Sequence, residues 1–118
     1  MTIAQIAKLL DASVLAGEDH LDTPVCSACG SDMMSDVLAF VKNQAVLLTG
    51  LVNAQVIRTA DMMDMRCVVF VRSKMPGKEI LDLACENDIV VLSTAMRMYE
   101  ACGILYSNGL GNDAGQTL

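Results

Sequence analysis

Three aliphatic runs constrain this chain more than anything else in it: Ala45-Val46-Leu47-Leu48-Thr49, Cys67-Val68-Val69-Phe70-Val71 and Ile89-Val90-Val91-Leu92. A strand that is apolar at every position is one covered on both faces of its sheet. The runs start at positions 45, 67 and 89, and each interval holds one amphipathic helix. Strand–helix–strand spacing of this kind implies right-handed crossovers and a parallel sheet core. The chain therefore reads as α/β: a single-domain sandwich with a mostly parallel, mixed central sheet of four to five strands flanked by helices.

The segments around these runs complete the outline. Residues 2–10 form a short helix capped by Thr2, with Ile3, Ile6, Leu9 and Leu10 on one face. Residues 13–16 make a short strand ending at Gly17, and residues 25–30 are extended, so both can add to an edge. Ser31 or Asp32 caps a helix running to about Val41, with Met34, Val37, Leu38 and Val41 as its stripe. Asn53 caps the next helix, which buries Val56, Ile57, Ala60 and Met63. Pro76 falls in the first turn of a helix whose stripe is Ile80, Leu81, Ala84 and Cys85, with Lys78 and Asp82 paired outward. Ser93 or Thr94 caps the last helix, which turns Met98, Tyr99, Cys102, Leu105 and Tyr106 inward.

Composition narrows the function classes. The chain has 118 residues, a net charge of −6, no Trp, two Phe, two Tyr and nine Met, so its core is aliphatic and soft. Its eight Lys and Arg are scattered, which argues against nucleic acid and against an anionic membrane surface. No stretch approaches the roughly 18 apolar residues of a membrane span, and the first residues lack the pattern of a signal peptide. The expectation is a cytoplasmic protein whose five cysteines remain thiols.

Small polar residues gather where buried strands stop. In a parallel sheet, Ser31, Asp32, Thr49, Gly50, Asn53, Ser73, Ser93 and Thr94 all approach the carboxyl edge. Free helix amides there favour an anion such as phosphate, and Gly50 lets a ligand approach the backbone. Asp32 would repel phosphate but could accept from a ribose or a base. The bland alternative is that the Ser and Asn residues merely cap helices. Cys26-Ser27-Ala28-Cys29 is a second candidate: two thiols at this spacing can close a redox disulfide or supply half of a zinc or iron–sulfur site, completed by a second copy. His20 with Glu18, Asp19 and Asp22 reads as a solvated turn. Arg58, Asp61, Arg97 and Glu100 read as surface charges. With one His and no paired buried carboxylates or phosphate-loop motif, no catalytic set is visible.

The strings Gly30-Ser31-Asp32-Met33-Met34-Ser35-Asp36-Val37-Leu38 and Val46-Leu47-Leu48-Thr49-Gly50, followed by a crossover helix carrying Val56 and Ile57, resemble the DRTGG domain family over roughly residues 2–107. The pattern falls on Asp22 and Thr49-Gly50, with Thr23 in place of the Arg and Leu51 in place of the last Gly. Such domains are similar to the N-terminal domain of HPr kinase/phosphorylase and often accompany CBS domains or phosphotransacetylase. The resemblance implies a domain over residues 1–107, and the Gly, Asn and Ser that dominate from Ser107 onward read as a flexible tail at 108–118. It also implies a non-catalytic regulatory or ligand-sensing role and a homodimer; together with the strand-end residues the expectation is a nucleotide or other small phosphorylated ligand, no required cofactor, and signalling through a homodimer or a protein partner. A redox or metal accessory protein using Cys26 and Cys29, and a dimeric interaction scaffold, are the alternatives.

Overall fold

The three apolar runs form the middle of a five-stranded sheet in a computed structural model that describes residues 1–40 and 44–111. Strands β1 (Ser13–Ala16), β2 (Ser27–Gly30), β3 (Ala45–Thr49), β4 (Cys67–Phe70) and β5 (Val90–Ser93) lie in the order β1-β5-β4-β3-β2. β2 to β5 are parallel, and β1 pairs antiparallel with β5, so the sheet is mixed as expected. Helices α1 (Ile3–Leu9), α2 (Met34–Phe40), α3 (Ala54–Met62), α4 (Lys78–Glu86) and α5 (Met98–Ser107) alternate with the strands, and a 3-10 turn spans Glu18–His20.

Strand alternation divides the apolar residues between two cores. Val46, Leu48, Cys67, Val69, Val90 and Leu92 face α1 and α5, meeting Ile3, Ile6, Ala101 and Leu105. Leu47, Val68, Phe70 and Val91 face α2, α3 and α4, meeting Val37, Val56, Ile57 and Ala84. The result is a three-layer sandwich. No helix among the described residues is long and apolar enough to cross a membrane.

Local chemistry sets the element ends. Thr2 and Gln5 make a reciprocal capping box on α1, and the Asn53 side chain accepts from the Val56 N–H at 3.3 Å. Four helices end alike. After α1, α3, α4 and α5, residues Asp11, Asp64, Asp88 and Gly109 take positive φ. Their N–H groups bond back to Lys8, Asp61, Cys85 and Tyr106, and the following residue reaches one turn further, as Met65 N–H does to Ala60 at 2.8 Å. This double bond closes a helix, and the next residue then drops inward: Met65, Ile89 and Leu110 are all buried. Arg66 gathers two of these ends, donating to the Asn87 carbonyl at 2.8 Å and lying 3.2 Å from Asp64.

Several sequence expectations shift. α2 starts at Met34, capped by neither Ser31 nor Asp32; the Ser31 hydroxyl accepts from Met33 N–H ahead of the helix. Leu38 is exposed and Val41 lies outside the described residues. Pro76 precedes the Gly77 N-cap of α4, so it shapes the approach rather than the first turn. Cys85 is exposed, and Ala84 is the buried residue of α4. Neither Ser93 nor Thr94 caps α5, which begins only at Met98 because residues 94–96 turn to pair with the loop after β4. The late start rotates the stripe: Ala101 and Leu105 face the core, while Tyr99 and Tyr106 point outward. Leu110 packs into the first core, beyond the end of α5.

Candidate functional site at the carboxyl edge

Because β2 to β5 run parallel, their last residues, Gly30, Thr49, Phe70 and Ser93, end along one edge of the sheet. The chain leaves β2 with the Ser31 N–H on the Leu48 carbonyl at 3.0 Å, which carries Asp32 across the end of β3. There one oxygen of Asp32 accepts from the Gly50 N–H at 2.7 Å and from the Thr49 hydroxyl at 3.0 Å. Thr49 is fully buried, and its oxygen also accepts from the Leu51 N–H at 3.1 Å. The Gly50 hydrogen bond holds the Asp32 carboxyl below its usual range, helped by Thr49 and the charge of Arg72 and opposed by partial burial. The second Asp32 oxygen accepts no hydrogen bond among the described residues.

Arg72 closes the other side of this cluster. It follows β4, and both Arg72 and Ser73 are left-handed, with φ of 59° and 58°. Two successive non-glycine residues in this region cost on the order of 1–3 kcal/mol each. The surroundings hold them there: Arg72 N–H donates to Met96 and Ser73 N–H to Thr94, both at 2.8 Å. The conformation lays the guanidinium over Gly50, where any Cβ would collide with it. Arg72 is exposed and forms no ion pair among the described residues. Sequence reasoning passed over this residue, because one Arg in a turn carries no pattern.

The remaining candidates are placed as follows. Asn53 is exposed and spends its side chain on the cap of α3. Ser93 donates to the Lys74 carbonyl at 2.8 Å and Thr94 to the Leu10 carbonyl at 2.7 Å. Ser31 and Thr49 thus share the end of the β2–β3 pair, whereas Ser93 lies two strands away from Thr49, about 10 Å. Asp22 lies at the opposite, amino edge, where its neighbours Leu21 and Thr23 bond the first residues of α1. The carboxylate that meets Thr49-Gly50 is therefore Asp32 and not Asp22.

Cys26 and Cys29 diverge. Cys26 donates to the Gln44 side chain at 2.9 Å near α1, while Cys29 turns toward the α2–α4 face. Burial, with the charge of Asp36, pushes the Cys29 thiol up, and burial likewise raises Cys102 and Cys67. No group of three or more His, Cys, Asp or Glu side chains that could hold a metal ion occurs among the described residues. His20 is at the amino edge, 3.6 Å from Asp88.

Two open grooves flank the sheet, one of which reaches the rim cluster. One, of about 590 Å³, runs between β2 and α5 along Ala28, Gly30, Tyr99, Cys102, Gly103 and Leu110. It reaches the carboxyl edge at Gly30, two residues before Asp32. The other, of about 620 Å³, lies at the amino edge around Met1, Lys8 and Cys26.

No protein-family profile matches the chain. No curated protein matches it in sequence. Among solved structures it is similar to the CBS and DRTGG domains of the regulatory region of Clostridium perfringens pyrophosphatase, a structure complexed with the activator diadenosine tetraphosphate. The TM-score is 0.72 at 19% identity, over 88% of this chain and 45% of that one. This chain thus spans less than half the length of its structural neighbour. In fold, it is a DRTGG-like α/β domain.

Proposed function

We propose that the chain is a non-catalytic regulatory module that senses a small phosphorylated ligand, a nucleotide in the first instance, at the carboxyl edge of its sheet. The observation that carries this reading is Arg72: a cation without an ion-pair partner among the described residues, held in a strained backbone conformation directly above a glycine at the end of two parallel strands. Strain of this kind concentrates at binding sites, and a guanidinium is well matched to phosphate oxygens. The structural neighbour's nucleotide activator supports the same ligand class. The rim groups, Asp32, Thr49 and Arg72, suit binding rather than proton transfer, and the single His20 lies at the other edge. Binding would change the affinity of the chain for a second copy or a larger partner, through exposed apolar side chains such as Met33, Met62 and Met75.

Arg72→Gly separates binding from stability. Glycine relieves the left-handed strain, so the ligand-free variant melts at or above the parent temperature. Millimolar ADP raises the parent Tm, by about 2.7 kcal/mol of added stability at one hundred times Kd, and leaves the variant unmoved. Thermal melts with ADP and diadenosine tetraphosphate check this. A parent protein indifferent to both removes the reading.

A further inference from the structure

Three features lie in series along the carboxyl edge and belong to three different chemistries. Arg72 offers a cation above Gly50. Asp32 offers one uncommitted carboxylate oxygen, its other oxygen being spent on Gly50 and Thr49. Beyond Gly30 the groove between β2 and α5 offers an apolar wall and Tyr99, whose side chain is 92% exposed at the first turn of α5.

The position of Asp32 has a consequence for the ligand. The Gly50 N–H is the backbone donor that a phosphate at this strand end would use, and the protein's own carboxylate already occupies it. A bare phosphate or pyrophosphate meets one cation, Arg72, with a fixed negative charge beside it. A ligand that brings a hydroxyl donor next to its phosphate turns that carboxylate from a repulsive neighbour into an acceptor, as acidic residues do for a ribose. A ring attached to the same sugar is then carried toward the groove, where an exposed tyrosine and glycine-lined walls leave room for a flat base. Gly30 matters here, because a Cβ would press on the sulfur of Cys102, which lines the groove, and on that of Met98 behind it.

We propose that the site is specific for a nucleoside phosphate as against inorganic phosphates, with phosphate on Arg72, ribose hydroxyl on Asp32 and base against Tyr99 in the groove. This rests on the reading given under Proposed function and adds the division of labour among the three groups. Asp32 and Tyr99 are the specificity-determining residues.

Titration calorimetry of the full chain with ADP and with inorganic pyrophosphate tests it, since the two probes share the diphosphate. ADP binds the parent at least about ten-fold more tightly than pyrophosphate. Tyr99→Ala weakens ADP by about ten-fold, near the lower end of what stacking one base is worth, and leaves pyrophosphate unchanged. Asp32→Asn weakens ADP while pyrophosphate binds equally or better, because a like charge has gone. With only two tyrosines in the chain, the Tyr99 ring resonances also report directly, shifting with ADP and not with pyrophosphate. Should both probes bind through Arg72 with a preference that Tyr99→Ala does not alter, and with the Tyr99 resonances still, the division of labour is wrong while the phosphate-sensing reading survives. Should neither probe bind the parent, both readings fall together.

Discussion

Asp32 is the residue on which the rim depends, and its ionisation can be followed through stability. The Gly50 and Thr49 hydrogen bonds favour its charged form, so the folded pKa is below the unfolded one. A carboxyl depressed in this way contributes stability that is fully present above its unfolded value, about 3.9. The contribution is lost as pH falls through the folded value. Asp32→Asn should therefore destabilise the protein at pH 7, and the gap between parent and variant should shrink toward pH 2. Urea midpoints of both proteins across that range measure it, and a gap independent of pH would mean the hydrogen bonds hold without the charge. Asp32 and Thr49-Gly50 were visible in the sequence as small polar residues at strand ends. Their mutual hydrogen bonds were not, since they depend on parallel registry of β2 and β3. Arg72 was invisible for a different reason: its left-handed backbone is imposed by carbonyls of Thr94 and Met96, more than twenty residues away.

At the level of elements, the recurring motif is the aspartate after a helix. Asp11, Asp64 and Asp88 each occupy a left-handed position where glycine is the commoner solution, and each sets a negative charge at a helix C-terminus. Arg66 offsets that cost for Asp64, and His20 lies near Asp88. Asp11 has no ion pair among the described residues, so it is the cleanest place to test the motif. Asp11→Gly should stabilise the fold by about 0.5–1 kcal/mol, a Tm rise of roughly 2–6 °C by calorimetry. A lower Tm would show that the carboxylate makes a contribution its geometry does not reveal. Strand positions were legible because an unbroken aliphatic run between helices has few other solutions. Helix starts were less so. Ser93 and Thr94 look like caps from their place before a helical stretch, yet their hydroxyls go to Lys74 and Leu10. The loop they begin supports Arg72 instead, and no local pattern announces a loop whose partners are distant.

Across the whole molecule, burial is graded from the centre of the sheet outward. β4 has strands on both sides and helices on both faces, and all of Cys67–Phe70 is fully buried. β2 is an edge strand with Ala28 and Gly30 exposed. Hydrogen exchange should accordingly be slowest in β3, β4 and β5 and measurably faster in β2 and α2, the elements that carry Ser31 and Asp32 to the rim. Equal protection of β2 and β4 would show that the edge is covered in solution. The sandwich architecture and the parallel core followed from the spacing of the three apolar runs, and the mixed sheet from the short segments at 13–16 and 25–30 that could add to an edge. The position of β1 did not, because a four-residue segment with one polar end suits either edge. That position bears on how the chain is made. β1 is synthesised well before β5, the one strand it pairs with among the described residues, which begins 74 residues after Ala16. At about 5–20 residues per second a ribosome takes roughly 4 to 15 s to cover that distance. Throughout this interval β1 travels without its pairing strand, so the nascent chain has a window of vulnerability in which a chaperone would find an open strand edge.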